Sequence, residues 1–130
     1  MKKARILIVE DEGIVAVNTK TALLSFGYDV LPIAISAKTA LELAQRERPD
    51  LVLMDIKLRG PQDGIDAATI IWEEYGIPSV FVSAYGTEET MERVGRIAHF
   101  GFLEKPVEEW QLEPAIEEAL KKHRSGLMKG

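Results

Sequence analysis

The feature that most constrains the fold is an alternation between short apolar runs and longer segments with helical spacing. The short runs are bounded by charged or turn residues, which is typical of strands buried on both faces of a parallel sheet. The strongest runs are Arg5 to Val9, Leu51 to Met54 and Ser79 to Val82, and two weaker ones are Asp29 to Ala34 and Gly101 to Glu104. A segment of helical periodicity follows each run, so the chain predicts five strand–helix units.

The helical segments repeat apolar residues every three or four positions. The shared faces of the first three are Ile14, Val17, Thr21 and Leu24, then Ala37, Ala40, Leu41 and Ala44, then Ile65, Ala68, Trp72 and Tyr75. The fourth helix is predicted to begin after Thr87 as N-cap, and its apolar positions are sparse. The fifth is expected from about Val107 to Arg124, with Pro114 in its first turn.

Parallel strands joined by right-handed helical crossovers form a sheet that is covered by helices on both faces. The chain has 130 residues, the size of one domain. We therefore expect a single α/β domain, a three-layer (βα)5 sandwich over residues 1–124, followed by a short tail over 125–130.

Composition limits the functional classes. The sequence has no cysteine, which excludes a disulfide framework and a thiolate metal site. Apolar runs stay well below the ~20 residues of a membrane span, and no signal peptide is evident, so we expect a cytoplasmic protein without a membrane partner. The net charge of −5 argues against direct binding of nucleic acid.

Chemically useful side chains come directly after the predicted strands. Glu10, Asp11 and Glu12 follow the first strand, Asp55 the third and Ser83 the fourth. Lys105 and Pro106 follow the fifth. The carboxyl ends of parallel strands meet at one edge of an open sheet, where ligands bind.

Each of these residues alone also fits a structural role, as a capping, turn or surface residue. Together they suggest one site, because clustered carboxylates repel one another unless a cation neutralises them. Magnesium prefers such oxygen ligands, and an aspartate can accept a phosphoryl group as an acyl phosphate. The simplest interpretation makes Asp55 the acceptor, with Asp11 and Glu10 holding the metal, Lys105 neutralising phosphoryl charge and Ser83 donating a hydrogen bond.

The sequence resembles the receiver domains of two-component response regulators over essentially its whole length. The matching segments are Ile6 to Glu12, Leu51 to Ile56, Asp63 to Ala67, Val82 to Tyr85 and Gly101 to Pro106. The resemblance implies a flavodoxin-like fold with five parallel strands in the order 2-1-3-4-5. It also implies Mg²⁺ as cofactor, with Mn²⁺ as a substitute.

Position by position, the resemblance makes Asp55 the phosphorylated residue, Asp11 a direct metal ligand and Glu10 a ligand through water. It adds the main-chain carbonyl of Lys57 to the metal ligands, and it assigns the switch to Ser83 and Phe102. Lys105 matches the phosphate-binding lysine, and its bond to Pro106 is usually cis in the family. Lys57 and Tyr85 flank the acceptor, and we expect them to tune the lifetime of the phosphoryl group.

The implied function is that of a signalling switch, not a metabolic enzyme. A sensor histidine kinase or phosphotransfer protein would donate the phosphoryl group beside the first helix, and an unknown output partner would read the result. A homodimer through the fourth helix, fifth strand and fifth helix is compatible with the resemblance.

Departures from the family pattern concern the surroundings of the acceptor. The acidic pair is Glu10-Asp11 where two aspartates are commonest, and the loop from Lys57 to Gly64 is one residue longer than usual. Two rival functions remain: an aspartate-based phosphohydrolase and a receiver-like interaction module that is not phosphorylated. The first usually has an aspartate where Lys57 stands, and the second tends to lose the acidic pair, the acceptor or the lysine.

Overall fold

A computed structural model describes residues 4–84, 87–97 and 100–126 of the chain. Five strands alternate with five helices. The elements are β1 (Arg5–Val9), α1 (Gly13–Ser25), β2 (Asp29–Val30), α2 (Ala37–Glu47), β3 (Leu51–Asp55), α3 (Gly64–Tyr75), β4 (Ser79–Ser83), α4 (Glu88–Gly95), β5 (Phe102–Glu104) and α5 (Glu109–Ser125). The predicted order of elements is confirmed.

All five strands are parallel, and their order in the sheet is β2-β1-β3-β4-β5. The predicted fold, an α/β sandwich of flavodoxin-like topology, is therefore confirmed. The predicted second strand is longer than the observed one, because only Asp29 and Val30 form a ladder with β1. Further along, a single bridge pairs Val9 with Ala34.

Side chains alternate across the sheet, as the pleat of a strand requires. In β1, Ile6 and Ile8 pack in the cluster formed with α1 and α5, whereas Leu7 and Val9 pack in the cluster formed with α2 and α3. Both faces of the central strands are thus apolar. This explains why these strands appear in the sequence as continuous apolar runs.

The helix ends are set by local chemistry. Thr87 accepts a hydrogen bond from the backbone N–H of Thr90, which makes it the N-cap of α4 as predicted. Gly76 closes α3 with a positive φ of 66°, a conformation that glycine adopts at little cost. One prediction about α5 is wrong: the helix begins at Glu109, so Pro114 lies beyond its first turn, inside the helix.

The faces of the helices match the sequence pattern, with one exception. Leu112, Ile116 and Leu120, which are spaced at helical intervals in α5, are buried. The shared apolar face of α1 instead points to solvent, with Ile14 80% exposed and Val17 57% exposed. The residues of α1 that are buried are Ala16, Ala22 and Leu23, so this helix carries an exposed apolar surface.

No helix in the described part of the chain combines the length and the apolar character needed to cross a membrane.

Candidate functional site

The register of the sheet brings the predicted site residues to its carboxyl edge. Asp55 is the last residue of β3 and pairs with Val82, so Ser83 lies one position beyond Asp55 on the adjacent strand. Glu10 follows β1, the neighbour of β3 on the other side. Lys105 follows β5, and its backbone N–H donates to the carbonyl oxygen of Ser83 at 2.8 Å.

Lys105 lies between two carboxylates. Its Nζ is 2.7 Å from Glu10 Oε1 and 3.2 Å from Asp55 Oδ2. The exposed carboxylate of Glu12 is farther away, at 3.8 Å from the same nitrogen. Glu10 and Asp55 are 5% and 4% exposed, so these charges interact where water screens them little. The bond from Lys105 to Pro106 is cis, as the resemblance implied.

The pKa values of Asp55 and Lys105 are both raised, which reflects the burial and the excess of negative charge at the site. Burial first, and the neighbouring Glu10 carboxyl second, raise the pKa of Asp55 to about 7, although Lys105 acts in the opposite direction. Burial alone would lower the pKa of Lys105, but Glu10 and Asp55 outweigh that effect and hold it above its ordinary value. The lysine is therefore a fixed positive charge at the site.

Three carboxylates here could hold a metal ion. One carboxylate oxygen from each of Glu10, Asp11 and Asp55 lies within 4.8 Å of the other two. These are hard oxygen donors, and a single ammonium group does not balance three negative charges. The donor set fits a small divalent cation such as Mg²⁺, which commonly combines one or two carboxylates with water and phosphate oxygens.

The loop after β3 adds polar groups around Asp55. The backbone N–H of Lys57 donates to Asp55 Oδ1 at 3.3 Å, while the Lys57 side chain is exposed. Arg59 Nε lies 3.8 Å from Asp11 Oδ2. The side chain of Arg59, which is largely exposed, therefore lies close to one of the candidate metal ligands.

The two residues assigned to a switch occupy neighbouring strands. Ser83 is buried at the end of β4, next to the acceptor strand. Phe102 in β5 pairs with Phe81 and is partly buried against the core cluster that contains Val94 of α4. Phe102 and Val94 thus link α4 to the strands at the edge of the sheet where Ser83 lies. Tyr85, predicted to tune the phosphoryl lifetime, lies outside the described residues.

The backbone of Gly64 lies very close to the backbone of Asp55 and Ile56. The N–H of Gly64 donates to the carbonyl oxygen of Ile56 at 2.8 Å. A Cβ atom at position 64 would lie 1.9 Å from the carbonyl oxygen of Asp55, so only glycine fits here. The start of α3 therefore lies directly against Asp55.

A groove of about 740 Å³ runs between α1 and α5 and reaches the site. Asp55 and Lys105 line its inner end, and Val15 of α1 and Leu112 of α5 line its walls. Glu108 and Glu109 lie on its α5 side. Asp55 therefore lies at the inner end of a groove on the side of α1, whose exposed face carries Ile14 and Val17.

Some polar contacts were not anticipated from the sequence. Arg59 beside Asp11 is one, and the ion pairs of Arg93 with Asp63 and Asp66 are another. The Asp63–Asp66 capping box is a local pattern that the sequence offers, since the two residues are three positions apart. The partners of Arg93 are not local, because they lie about one helix and one strand earlier in the chain.

A doubly wound parallel sheet with an acidic cluster and a lysine at its carboxyl edge defines a class of small α/β signalling domains. The family model described as the response regulator receiver domain matches residues 6–117. The chain therefore belongs to the response regulator receiver domain family, whose members serve two-component systems. Phosphorylation and Mg²⁺ binding are typical of this family.

Curated relatives include longer regulators. The chain is 36% identical over 120 residues to the transcriptional regulatory protein PdtaR of Mycobacterium tuberculosis, a match that covers 92% of this chain and 58% of PdtaR. It is 32% identical over 81 residues to the phyllosphere-induced regulator PhyR of Methylorubrum extorquens, covering 62% of this chain and 30% of PhyR. The chain thus spans little more than half the length of PdtaR.

Solved structures agree on the fold. The signal receiver domain of a modulated diguanylate cyclase from Desulfovibrio desulfuricans G20 superposes with a TM-score of 0.90 at 35% identity, covering 95% of this chain and 98% of that one. A CheY-like response regulator receiver domain protein from Methanospirillum hungatei JF-1 gives a TM-score of 0.87 at 28% identity, covering 97% and 99%.

Proposed function

We propose that this receiver domain is a Mg²⁺-dependent phosphoryl acceptor that is modified on Asp55 and acts as a conformational switch. The observation that carries the proposal is the position of Asp55, which is buried, contacts the Lys105 ammonium group and lies within 4.8 Å of carboxylate oxygens of Glu10 and Asp11. An acceptor aspartate needs positive charge on more than one side of the incoming phosphoryl group. Lys105 supplies one such charge from the chain itself.

In the proposed reaction an Asp55 oxygen attacks the phosphorus of a phosphohistidine in line. The new O–P bond forms as the P–N bond breaks, and the imidazole leaves with the electron pair of that bond. Lys105 stabilises the charge on the phosphoryl oxygens, and its short contacts with Glu10 and Asp55 hold it in place. Glu10, Asp11, Asp55 and the Lys57 carbonyl would hold Mg²⁺, which would neutralise further phosphoryl charge.

The phosphoryl group would then change the demands on Ser83. Phosphoryl oxygens are stronger hydrogen-bond acceptors than a carboxylate that is already paired, so the Ser83 hydroxyl would turn towards them. Ser83 is buried beside the acceptor strand, and Phe102 lies two pairing positions away along the same pair of strands. A shift of Ser83 would therefore open space for Phe102, and the change would reach α4 and β5.

The proposed donor is a sensor histidine kinase or a phosphotransfer protein. It would dock on the side of α1, where Ile14 and Val17 are exposed and where the groove leads to Asp55. The output partner remains unassigned, and a homodimer through α4, β5 and α5 stays a prediction. Trp110 at the start of α5 is 72% exposed and would belong to that surface or to a partner surface nearby.

Intact mass spectrometry tests the acceptor. Incubation with Mg²⁺ and acetyl phosphate should add the mass of one phosphoryl group, and Asp55→Asn should abolish the gain. Asp50→Asn is the matched control, because Asp50 directly precedes the opposite end of β3 and the only described hydrogen bond of its side chain comes from the backbone N–H of Arg5. If the wild-type mass does not change, the chain is better described as an interaction module that is not phosphorylated.

The role of Lys105 has its own test. Lys105→Met should slow phosphorylation about 10²-fold or more, because a preorganised charge at the transferred group is lost. Lys121→Met, on the exposed side of α5, should leave the rate unchanged. Equal rates for wild type and Lys105→Met would contradict the proposed role.

Lys57 and Tyr85 are proposed to set the lifetime of the acyl phosphate. Their simultaneous replacement by alanine should change the rate at which the phosphoryl mass is lost after the donor is removed. An unchanged rate would remove both residues from the proposal.

A further inference from the structure

α4 is held to the rest of the domain by few apolar contacts. It is the shortest helix, with eight residues, and among these Val94 alone is fully buried. By comparison, α2 buries four residues and α5 also buries four. The position of α4 therefore depends more on its polar contacts than that of the other helices does.

Arg93 makes the main polar contacts of α4 with another element. Its Nη1 donates to Asp63 Oδ2 at 2.6 Å, and its Nη2 donates to Asp63 Oδ1 at 3.3 Å and to Asp66 Oδ1 at 3.2 Å. A planar guanidinium group binds a carboxylate in this two-pronged way with a defined direction, which a lysine cannot reproduce. Arg93 and Asp63 are both partly buried, so water screens the contact only in part.

Ionisation agrees with the geometry. Burial would raise the pKa of Asp63, but the hydrogen bonds from Arg93 and from the Asp66 backbone outweigh it and lower the pKa below its ordinary value. Asp63 is therefore negatively charged at neutral pH, and the contact is a charge-assisted pair.

The two carboxylates that Arg93 binds belong to the segment that lies against Asp55. Asp63 is the N-cap of α3 and shares a capping box with Asp66. The next residue, Gly64, donates its N–H to Ile56, and it approaches the Asp55 carbonyl so closely that no side chain fits. A displacement of the backbone after Asp55 must therefore displace Asp63 as well.

We propose that Arg93 is a positioning residue of the switch, which transmits the state of the loop after Asp55 to α4 through Asp63 and Asp66. The inference rests on the proposed phosphorylation of Asp55. This route begins at the end of β3 and crosses from α3 to α4, so it is separate from the route through Ser83 and Phe102. Because linkage is reciprocal, the position of α4 also biases the acceptor loop through the same contacts.

Hydrogen exchange of α4 in the full chain tests the link. Exchange of the Glu88–Gly95 amides is measured by mass spectrometry with and without acetyl phosphate and Mg²⁺, in the wild type and in Arg93→Gln. Loss of a partly exposed ion-pair network should raise exchange in the unmodified protein by about fivefold or less. The decisive expectation is that the phosphorylation-dependent change in α4 falls to half of the wild-type change or below.

Arg96→Gln is the matched control, because Arg96 is the C-cap residue of the same helix and pairs with Glu92 of that helix. It should keep the full phosphorylation-dependent change. Arg93→Lys retains the charge but not the two-pronged geometry, and we expect an intermediate change. This milder variant decides the question if Arg93→Gln does not fold.

The outcomes separate the inference from the function it rests on. If the wild type gains no phosphoryl mass, the proposed function fails and the link fails with it. If the mass is gained but the α4 change is as large in Arg93→Gln as in the wild type, the link alone is overturned. A purely structural role for Arg93 would give this second result, with exchange raised equally in both states.

Discussion

Replacing Asp55 by asparagine should stabilise the metal-free protein, because the substitution removes one of three neighbouring negative charges. With carboxylate oxygens at 4.8 Å or less and an effective dielectric constant of about 20, each repulsion is about 3.5 kcal/mol, or about 7 kcal/mol from Glu10 and Asp11 together. The attraction to Lys105 at 3.2 Å is about 5 kcal/mol on the same scale. The distances are upper limits and burial of the charge adds to the repulsion, so the expected gain in the free energy of unfolding is about 2 kcal/mol or more.

The assay is urea unfolding of wild type and Asp55→Asn, in EDTA and in excess Mg²⁺. A bound cation should stabilise the wild type and weaken the repulsion, so the advantage of the variant should shrink or reverse in Mg²⁺. Glu118→Gln, which removes an exposed charge on α5, is the control, and its difference in stability from the wild type should be the same in EDTA and in Mg²⁺. A variant that is less stable than the wild type in EDTA would refute the reasoning.

The same reasoning sets a pH dependence. The pKa of Asp55 is raised from 3.8 to about 7 by burial and by Glu10, so the folded state favours the neutral carboxyl group. The folded protein then holds more protons than the unfolded chain between these values, and stability falls as the pH rises through that window. The advantage of Asp55→Asn in EDTA should grow from about pH 4 to about pH 7 and then level off. An advantage that is constant across this range would show that repulsion at Asp55 is not its source.

Two further substitutions probe the loop after β3. Arg59→Gln should raise the affinity for Mg²⁺ by about two- to fivefold in calorimetry, because a weak ion pair no longer competes for Asp11; a lower affinity would mean that Arg59 assists the site instead. Gly64→Ala should cost about 3 kcal/mol of stability or more in urea unfolding, because its Cβ meets the Asp55 carbonyl oxygen. Gly95→Ala has open space around it and should not destabilise, and similar effects for both glycines would contradict the close approach.

Much of the fold could be predicted because it depends on local patterns. Continuous apolar runs mark strands that are buried on both faces, and residues such as Thr87 and Gly76 mark helix ends through short-range hydrogen bonds and backbone conformation. The exception is α1, where the periodic residues Ile14 and Val17 form the exposed face. The buried residues there are Ala16, Ala22 and Leu23, so periodicity identified the helix but not its buried side.

The candidate site was predictable for a different reason. The topology brings every strand end to one edge, so the residues after the runs, such as Asp55 and Lys105, had to lie near one another. The charges that modulate them were not predictable, because Arg59 and Arg93 reach partners far away along the chain. Such contacts depend on side-chain packing between separate helices and loops, and no local spacing records them.

The residues at the strand ends, such as Asp55, and the arginines that reach distant partners, such as Arg93, also differ in what they can control. Asp55 ends a strand, Glu10 and Lys105 directly follow strands, and all three side chains are at most 13% exposed, so their geometry should vary little between states. Arg93 lies on the helix with the least apolar burial and contacts the segment that follows the acceptor. A rigid acceptor edge joined to a loosely packed helix is what a switch requires, because chemistry needs preorganised charges and signalling needs an element with more than one accessible position.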